Sequence, residues 1–344
     1  MKKKYIIGLL LLALVMGISM FAYNYYGKIK KPNVKDSTYI YIPTGANFDT
    51  VSKLISPYLK NLNGFEWVAD KKNYPNKIRA GKFKIEAGMN NEELVNHLRG
   101  GAPETVLVTF NNQDNFEKLA GRISHQIEAD SLTLLKTFHE KDFLAQNGLN
   151  DNTALSIFIP NSYEFYWNTS SEEFRDRMLA EYKKYWTSER VEKAKKHGLT
   201  PIQVSTLASI VQKETSVVKE RPIVAGLYLN RIRDNWPLQA DPTVIYALHQ
   251  TYGQDSIIKR VLSKDLKVDS PYNTYKIIGL PPGPIGMPDI SSIEAVLNPS
   301  KHNYYYMCAS VEKIGEHEFT NSLRQHNINA RKYQEWVNKQ GILR

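Results

Sequence analysis

The chain opens with a long apolar segment. Residues 5–26 read YIIGLLLLALVMGISMFAYNYY and contain no charged residue, which matches the roughly 20 apolar residues that cross a bilayer as a helix. A buried core helix rarely lacks charge over this length, and a cleavable signal usually has a shorter apolar run that ends at small residues. We therefore predict an uncleaved transmembrane anchor over residues 5–26, after a tail at residues 1–4.

Lysines flank both ends of this apolar segment. Lys2, Lys3 and Lys4 precede it, and Lys28, Lys30 and Lys31 follow it. The positive-inside rule therefore gives only a slight preference for an N-terminus inside the cell.

The pattern beyond the anchor predicts a short linker and then a small folded module. Residues 27–36 are basic and polar with one proline, which is typical of a juxtamembrane linker. Residues 37–103 carry alternating strand and helix patterns, and a package of about sixty residues is marginal without neighbours to pack on. The predicted elements are a strand at Tyr39–Pro43, a helix at Phe48–Leu59, a strand at Gly81–Ile85 and a helix from Asn91 that Gly100 and Gly101 close.

From residue 104 onward, strand patterns again alternate with helical ones. Pro160–Tyr166 is rich in aromatic residues and flanked by polar turns, which predicts a loop that could face carbohydrate, although aromatic residues more often pack a core. The fold class we predict is α+β, with an N-terminal transmembrane helix, a small module and a larger mixed α+β domain at residues 104–344. The predicted elements are a strand at Thr105–Phe110 and helices at Phe116–Ile127, Ser131–Thr137 and Ser171–Trp186.

One helix start is well defined. Thr200 can cap a helix, Pro201 suits its first position, and Gln203 can reach back to the amide of the capping residue. From this start, Val204, Leu207, Ala208 and Val211 form one apolar stripe, and Glu214 falls on or beside it. Glu220 would lie on the opposite, solvated side if the helix continued that far.

An inward-facing Glu214 has two interpretations. Desolvation raises the pKa of a carboxyl group, as a general acid near neutral pH requires. Alternatively, Glu214 is a structural residue paired with an arginine such as Arg221 or Arg231. The pattern alone does not choose between them.

Composition and charge exclude several other classes. The net charge of +10 is scattered along the chain rather than clustered, so we predict no nucleic-acid partner. Cys308 is the only cysteine, and no His-Glu-x-x-His motif or Gly-rich phosphate loop is present, so we predict no metal site and no cofactor. Ser216 and Lys219 match the Ser-x-x-Lys pattern of serine acyl-enzymes, but Ser256–Lys259 and Ser310–Lys313 match it as well and no Lys-Thr-Gly completes it.

Several separated motifs resemble one enzyme family. They are LASIVQKET at residues 207–215, LYLNRI at 227–232, LQADPTVIYAL at 238–248, SPYNTY at 270–275, GLPPGPIG at 279–286, and Ala295 to Pro299. In this order they resemble the MltG/YceG-like endolytic murein transglycosylases. RAGKFKI at 79–85, followed by a Gly-Met pair and by HLRGG at 97–101, is similar to the LysM-like module of that family.

The resemblance implies a fold, a topology and a reaction. Residues 37–103 would be the LysM-like module and residues 104–344 the catalytic domain, outside the cytoplasmic membrane, with residues 1–4 as a cytoplasmic tail. The enzyme would be a lyase without cofactors that cuts peptidoglycan strands between N-acetylmuramic acid and N-acetylglucosamine, leaves a 1,6-anhydro end, and so terminates or trims nascent strands. Peptidoglycan synthases of the penicillin-binding type are implied as partners. The family's catalytic glutamate falls on Glu214.

The same motifs supply candidates for holding the sugars. They are polar or aromatic residues of the recognisable segments: Asn230, Gln239, Asp241, Tyr272, Asn273 and Tyr275. Asp241 could equally be a helix N-cap, and the two tyrosines could be packing residues.

Two departures from the family pattern stand near these motifs. Gln212 occupies a position where a glutamate is expected, which removes an acid that could compete with Glu214. Residues 111–115 lack the expected Glu-Gly pair, which we interpret as a change in a peripheral loop.

The alternative from a different class is a non-catalytic, membrane-tethered scaffold that binds peptidoglycan. In that case Glu214 would be structural.

Overall fold

The computed structural model describes residues 2–253, 258 and 261–339. Ser256 and Lys259, which match Ser-x-x-Lys, lie outside the described residues. The chain forms two compact units, each composed of several segments. Unit 1 comprises Met1–Val108, His125–Ala129 and Tyr163–Ser170, and unit 2 comprises Thr109–Ser124, Asp130–Ser162 and Ser171–Arg344.

The part of the chain before residue 111 mixes helices with short strands, as predicted. Strands β1 and β2 pair antiparallel, with Thr38 opposite Ile85 and Ile42 opposite Gly81. Ile40 and Ile42 face the core of unit 1 on this sheet. The elements are α1 (Lys2–Lys30), β1 (Thr38–Ile42), α2 (Phe48–Ile55), α3 (Leu62–Lys71), β2 (Gly81–Ile85), α4 (Asn91–Gly100) and β3 (Thr105–Phe110).

Helix α1 is apolar enough to cross a membrane over Lys4–Lys30. It is longer than the predicted span, and it includes the start of segment 27–36, for which composition predicted a linker. The first four residues of this segment continue the helix, and Asn33 is buried and donates its backbone N–H to the carbonyl of Met89. Basic residues can extend a helix as easily as they form a coil, so composition could not distinguish the two.

The structure also corrects two other predictions from the sequence. Helix α3 was not predicted, and the helix at Phe48 ends at Ile55, because Pro57 lies in the 3-10 turn that follows. Residues 160–166 are not a loop, since Asn161–Tyr166 forms a strand.

The remainder of the described chain is mostly helical. Two further sheets each contain two strands: one pairs β3 with β4 (Asn161–Tyr166), and one pairs β5 (Tyr306–Ala309) with β6 (His317–Thr320). The elements are α5 (Phe116–Ser124), α6 (Ser131–Phe138), α7 (Lys141–Gln146), β4 (Asn161–Tyr166), α8 (Ser171–Tyr185), α9 (Ser188–Lys196), α10 (Pro201–Glu214), α11 (Arg221–Arg233), α12 (Asp241–Tyr252), α13 (Ile290–Leu297), β5 (Tyr306–Ala309), β6 (His317–Thr320) and α14 (Leu323–Lys339).

Helix α10 lies in the middle of the core of unit 2. Thr200 and Gln203 form the predicted capping box with Pro201 in the first turn. Every residue from Val204 to Val211 is buried, so the helix is enclosed on all sides rather than along the single predicted stripe. The buried part of the helix thus ends one turn before its last residue, Glu214.

Candidate active site

Hydrogen bonds satisfy the hydroxyls of Thr206 and Ser209, two of the polar residues buried inside α10, whereas the hydroxyl of Ser205 has no partner among the described residues. Thr206 donates its hydroxyl to the carbonyl of Ile202 at 2.9 Å. Ser209 donates to the carbonyl of Thr206 at 2.7 Å and accepts the backbone N–H of Ile285 at 3.0 Å. A buried hydroxyl without a partner costs free energy, whereas these bonds remove most of that cost.

Glu214 is the last residue of α10, and its side chain is half-buried. Tyr228 of helix α11 donates its hydroxyl to the Oε1 atom of Glu214 at 2.6 Å. Desolvation raises the pKa of Glu214 to about 7, the hydrogen bond from Tyr228 opposes this shift, and the charge of Asp241 adds to it. A carboxyl group with this pKa can both give and take a proton near neutral pH.

Asp241 and Tyr275 form a second hydrogen-bonded pair close enough to affect Glu214. The hydroxyl of Tyr275 donates to Oδ1 of Asp241 at 2.6 Å, and the negative charges of Asp241 and Glu214 interact. Asp241 is exposed and is the first residue of α12, whereas the N-cap position is held by Ala240. The proline after Asp241 had suggested that this side chain caps the helix, but the structure shows that it does not.

The structure does not contain the arginine pairs that were the structural alternative for Glu214. Arg221 pairs with Asp289 at 2.7 Å. Arg231 donates to the carbonyl oxygens of Leu238 and Tyr305, although its charge does lower the pKa of Glu214. Among the described residues, it is the neutral hydroxyl of Tyr228 that donates a hydrogen bond to the Glu214 carboxyl.

The other residues predicted to hold sugars separate into two groups. Asn230 and Asn273 are buried, and each donates its amide to two backbone carbonyls of unit 2. Tyr272 is also buried and packs against the ring of Tyr246. These three side chains are therefore engaged by other parts of unit 2. Gln239, in contrast, is exposed beside α12, with a positive φ of 51°.

The two departures from the family pattern both have structural counterparts. The side chain of Gln212 accepts the backbone N–H of Asp289 at 2.5 Å and donates to the carbonyl of Met287 at 3.3 Å. A carboxylate could accept the first of these hydrogen bonds but could not donate the second. The loop at residues 111–115 is not peripheral. Asp114 pairs with Lys213, the residue before Glu214, at 2.5 Å.

A cavity of about 240 Å³ lies beside this ion pair. Its walls are partly apolar, and they combine residues of α12 with the residue before Glu214. The lining residues are Asp114, Lys118, Lys213, Pro242, Ile245, Tyr246, His249 and Ile285.

Two functional candidates were missed or misplaced by the sequence analysis. Tyr228 lies inside the LYLNRI motif, but it was not singled out, since a tyrosine at a core position of a helix looks like packing. Glu220 was expected to face solvent, yet α10 ends at Glu214 and Glu220 is buried with an exposure of only 4%. Within residues 2–253, 258 and 261–339, no three His, Cys, Asp or Glu side chains cluster in a way that could hold a metal ion.

Comparison with known proteins gives consistent results. The chain is 29% identical to the endolytic murein transglycosylase of Bacillus subtilis over 90% of this chain and 89% of that protein. It is 28% identical to the endolytic murein transglycosylase of Streptococcus pneumoniae serotype 2 over 95% of this chain, but it spans only 65% of that longer protein.

A solved structure also resembles this one. The crystal structure of a yceG-like protein from Listeria monocytogenes has 26% sequence identity and a TM-score of 0.57, and the alignment covers 85% of this chain and 98% of that one. The model of the YceG-like family matches residues 40–332, from the first strand of unit 1 to the C-terminal helix. The chain therefore belongs to the YceG-like family.

Proposed function

We propose that this protein is an endolytic murein transglycosylase with Glu214 as its catalytic residue. The observation that carries the proposal is the Glu214 carboxyl at the end of a buried helix, which has a pKa of about 7 and accepts a hydrogen bond from the neutral hydroxyl of Tyr228. Relatives of similar sequence are named for this activity. The substrate would be the bond between N-acetylmuramic acid and N-acetylglucosamine within a glycan strand.

One carboxyl group is sufficient for this reaction. The protonated Glu214 donates to the glycosidic oxygen as the bond to the anomeric carbon breaks, which releases the N-acetylglucosamine side as an alcohol. The resulting carboxylate then takes the proton of the 6-hydroxyl of the muramic acid, whose oxygen bonds to the anomeric carbon. The product ends in a 1,6-anhydro ring, no water is consumed, and Glu214 is protonated again.

Neighbouring residues support both halves of this cycle. The Tyr228 hydroxyl stabilises the ionised form of Glu214 and fixes Oε1, which leaves the other oxygen for the sugar. The exposed Asp241, whose Oδ1 is held by Tyr275, adds negative charge where an oxocarbenium-like centre develops positive charge. Gln239 stands beside it as a candidate sugar ligand.

The chain before unit 2 would bring the enzyme to its substrate. We propose that residues 5–26 cross the cytoplasmic membrane with the N-terminus inside, and that residues 37–103 are a LysM-like module that faces the cell wall. Two antiparallel strands and the helices around them give this part of the chain a hydrophobic core of its own, which supports a distinct module. Penicillin-binding synthases, which produce the strands, are the proposed protein partners.

Replacing Glu214 by Gln tests the proposal directly. The variant keeps the shape and can still accept from Tyr228, but it has no proton to transfer. Cleavage of purified peptidoglycan should fall by at least the roughly 10²–10⁴-fold that general acid–base catalysis supplies, while glycan binding persists. Mass spectrometry of the wild-type products should show 1,6-anhydro ends.

Glu192→Gln is the matched control, since Glu192 is an exposed carboxylate of the same unit, and it should cleave normally. Near-normal cleavage by a folded Glu214→Gln variant would show that the protein is a binding scaffold or uses another acid. Ordinary reducing ends in the wild-type products would instead mean that water attacks, with Asp241 as the first candidate base.

The same substitution should stabilise the protein at neutral pH. The folded pKa of Glu214 is about 7 and the unfolded value is 4.5, so the folded state binds the proton more tightly. The resulting stability is present below pH 4.5, is lost as the pH rises, and is gone above pH 7. Glu214→Gln avoids that loss, which amounts to up to about 3 kcal/mol. In urea denaturation from pH 4 to 9, the free energy of unfolding of the wild type should fall below that of Glu214→Gln as the pH rises. If Glu214 were only a structural residue, the variant would be destabilised at every pH.

Tyr228→Phe should change the pH profile in a defined direction. Without the hydroxyl, the Glu214 carboxylate loses a stabilising donor and its pKa rises further. The alkaline limb of kcat/KM, which reports the acid of the free enzyme, should move upward by about one pH unit, because a hydrogen bond to a charged group contributes about 1.5 kcal/mol. A limb that stays in place or moves downward would exclude the assigned role of Tyr228.

The proposed topology predicts that residues beyond Lys31 lie outside the cytoplasmic membrane. Protease added to intact spheroplasts should digest them while a cytoplasmic marker protein survives. Full protection of the chain in the same experiment would place both units inside the cell.

A further inference from the structure

Glu220 and Arg221 are adjacent residues of opposite charge, and both are buried in unit 2. They occupy the junction where a 3-10 turn over Val218–Glu220 leads into helix α11. Neither residue is used by the reaction described above. Glu220 binds Thr215, which follows Glu214, and Arg221 binds Asp289, which in turn contacts Gln212, two positions before Glu214.

Glu220 holds the residue that follows Glu214. Thr215 donates its hydroxyl to Oε2 of Glu220 at 2.9 Å. The backbone N–H of His317 donates to Oε1 at 2.7 Å, and its Nδ1 lies 3.1 Å from Oε2. The carboxylate thus ties Thr215, where the chain leaves α10, to the first residue of strand β6.

Arg221 holds the residue two positions before Glu214, through one intermediate. It donates to both carboxylate oxygens of Asp289, at 2.8 and 2.7 Å. The backbone N–H of Asp289 in turn donates to the side-chain oxygen of Gln212 at 2.5 Å. Gln212 is therefore held by a residue outside α10. It precedes Glu214 in the sequence, whereas Thr215 follows it.

Such support is needed because Glu214 is a terminal helical residue. The last turn of a helix lacks part of its hydrogen bonding and frays unless other groups hold it. An error of about 1 Å in the place of a catalytic group can cost about 10²-fold in rate. The side chains that hold Gln212 and Thr215 together restrain the turn that carries Glu214.

We propose that Glu220 and Arg221 are positioning residues that set the location of the Glu214 carboxyl without touching it or the substrate. This inference rests on the proposed function. It assigns to this buried pair a role in the chemical step, which goes beyond its contribution to stability.

The test is Glu220→Gln in the full-length enzyme. The glutamine has nearly the same volume, but it lacks the negative charge that strengthens the hydrogen bonds from Thr215 and His317, so the tie to Thr215 is weakened. We expect kcat to fall about 10- to 100-fold. Affinity for glycan strands, compared between Glu214→Gln and the Glu214→Gln/Glu220→Gln double variant, should remain unchanged.

Thr215→Val gives a second approach if the glutamine variant folds poorly. It removes the hydroxyl that donates to Glu220 and that also accepts the backbone N–H of Val217 at 3.1 Å. It should reproduce the fall in kcat, whereas Thr215→Ser, which keeps the hydroxyl, should recover most of the rate. The matched control is Glu294→Gln, which breaks the ion pair with Arg190 elsewhere in unit 2. It should lower the melting temperature and leave kcat as it is.

A readout independent of turnover completes the design. The pH-dependent difference in stability between a protein and its Glu214→Gln form reports the environment of Glu214, so it should become smaller when Glu220→Gln is also present. Normal kcat and an unchanged pH dependence in folded Glu220→Gln and Thr215→Val would overturn the inference. Absence of cleavage by the wild-type enzyme would instead overturn the proposed function, and the stability measurement would still test the positioning role.

Discussion

The withdrawal of one carboxyl group from water is the constraint on which unit 2 depends. Desolvation is the largest effect on Glu214, and a group that gains a useful pKa in this way also destabilises the fold once it ionises. The surrounding structure offsets this cost without neutralising the group. Its hydrogen-bond donor is a phenol rather than a guanidinium, and the two buried arginines nearby are engaged by Asp289 and by backbone carbonyls. An arginine bound directly to the carboxyl would lower its pKa and remove its use as an acid.

Local rules predicted much of the fold. The strands at Gly81–Ile85 and Thr105–Phe110 have the predicted bounds, and the capping box at Thr200 is present, because alternation and caps depend on neighbours in sequence. The fate of residues 27–36 could not be predicted in this way. Whether a basic stretch continues a helix depends on what it packs against, and here α3 and α4 provide that contact through pairs such as Lys30 with Glu92.

The candidate site was predictable to a similar degree. Helical register turned Glu214 inward, but the same register extended past the true end of α10 and placed Glu220 in solvent. Only the tertiary structure shows that the chain leaves the helix at Thr215 and buries Glu220 against strand β6. Among the motif residues, the sequence could not separate an asparagine that binds backbone, such as Asn273, from one that binds ligand. Both uses require the same amide group.

Helix α1 passes from its apolar part into unit 1 without a break, and this has a mechanical consequence. Asn91 donates to the carbonyl of Lys28 at 2.7 Å, and the ring of Tyr25 contacts that of Trp67. These contacts hold α1 directly against the helices that follow it, with no flexible linker between them. If residues 5–26 cross the bilayer as proposed, residues 27–30 add only about 6 Å of helix beyond it, and the folded residues 37–103 would lie close to the membrane surface. One residue inserted in segment 27–30 would rotate residues 37–103 by about 100° about the helix axis instead of moving them far from the membrane. Glycan strands would therefore have to contact residues 37–103 close to the membrane surface from which they emerge.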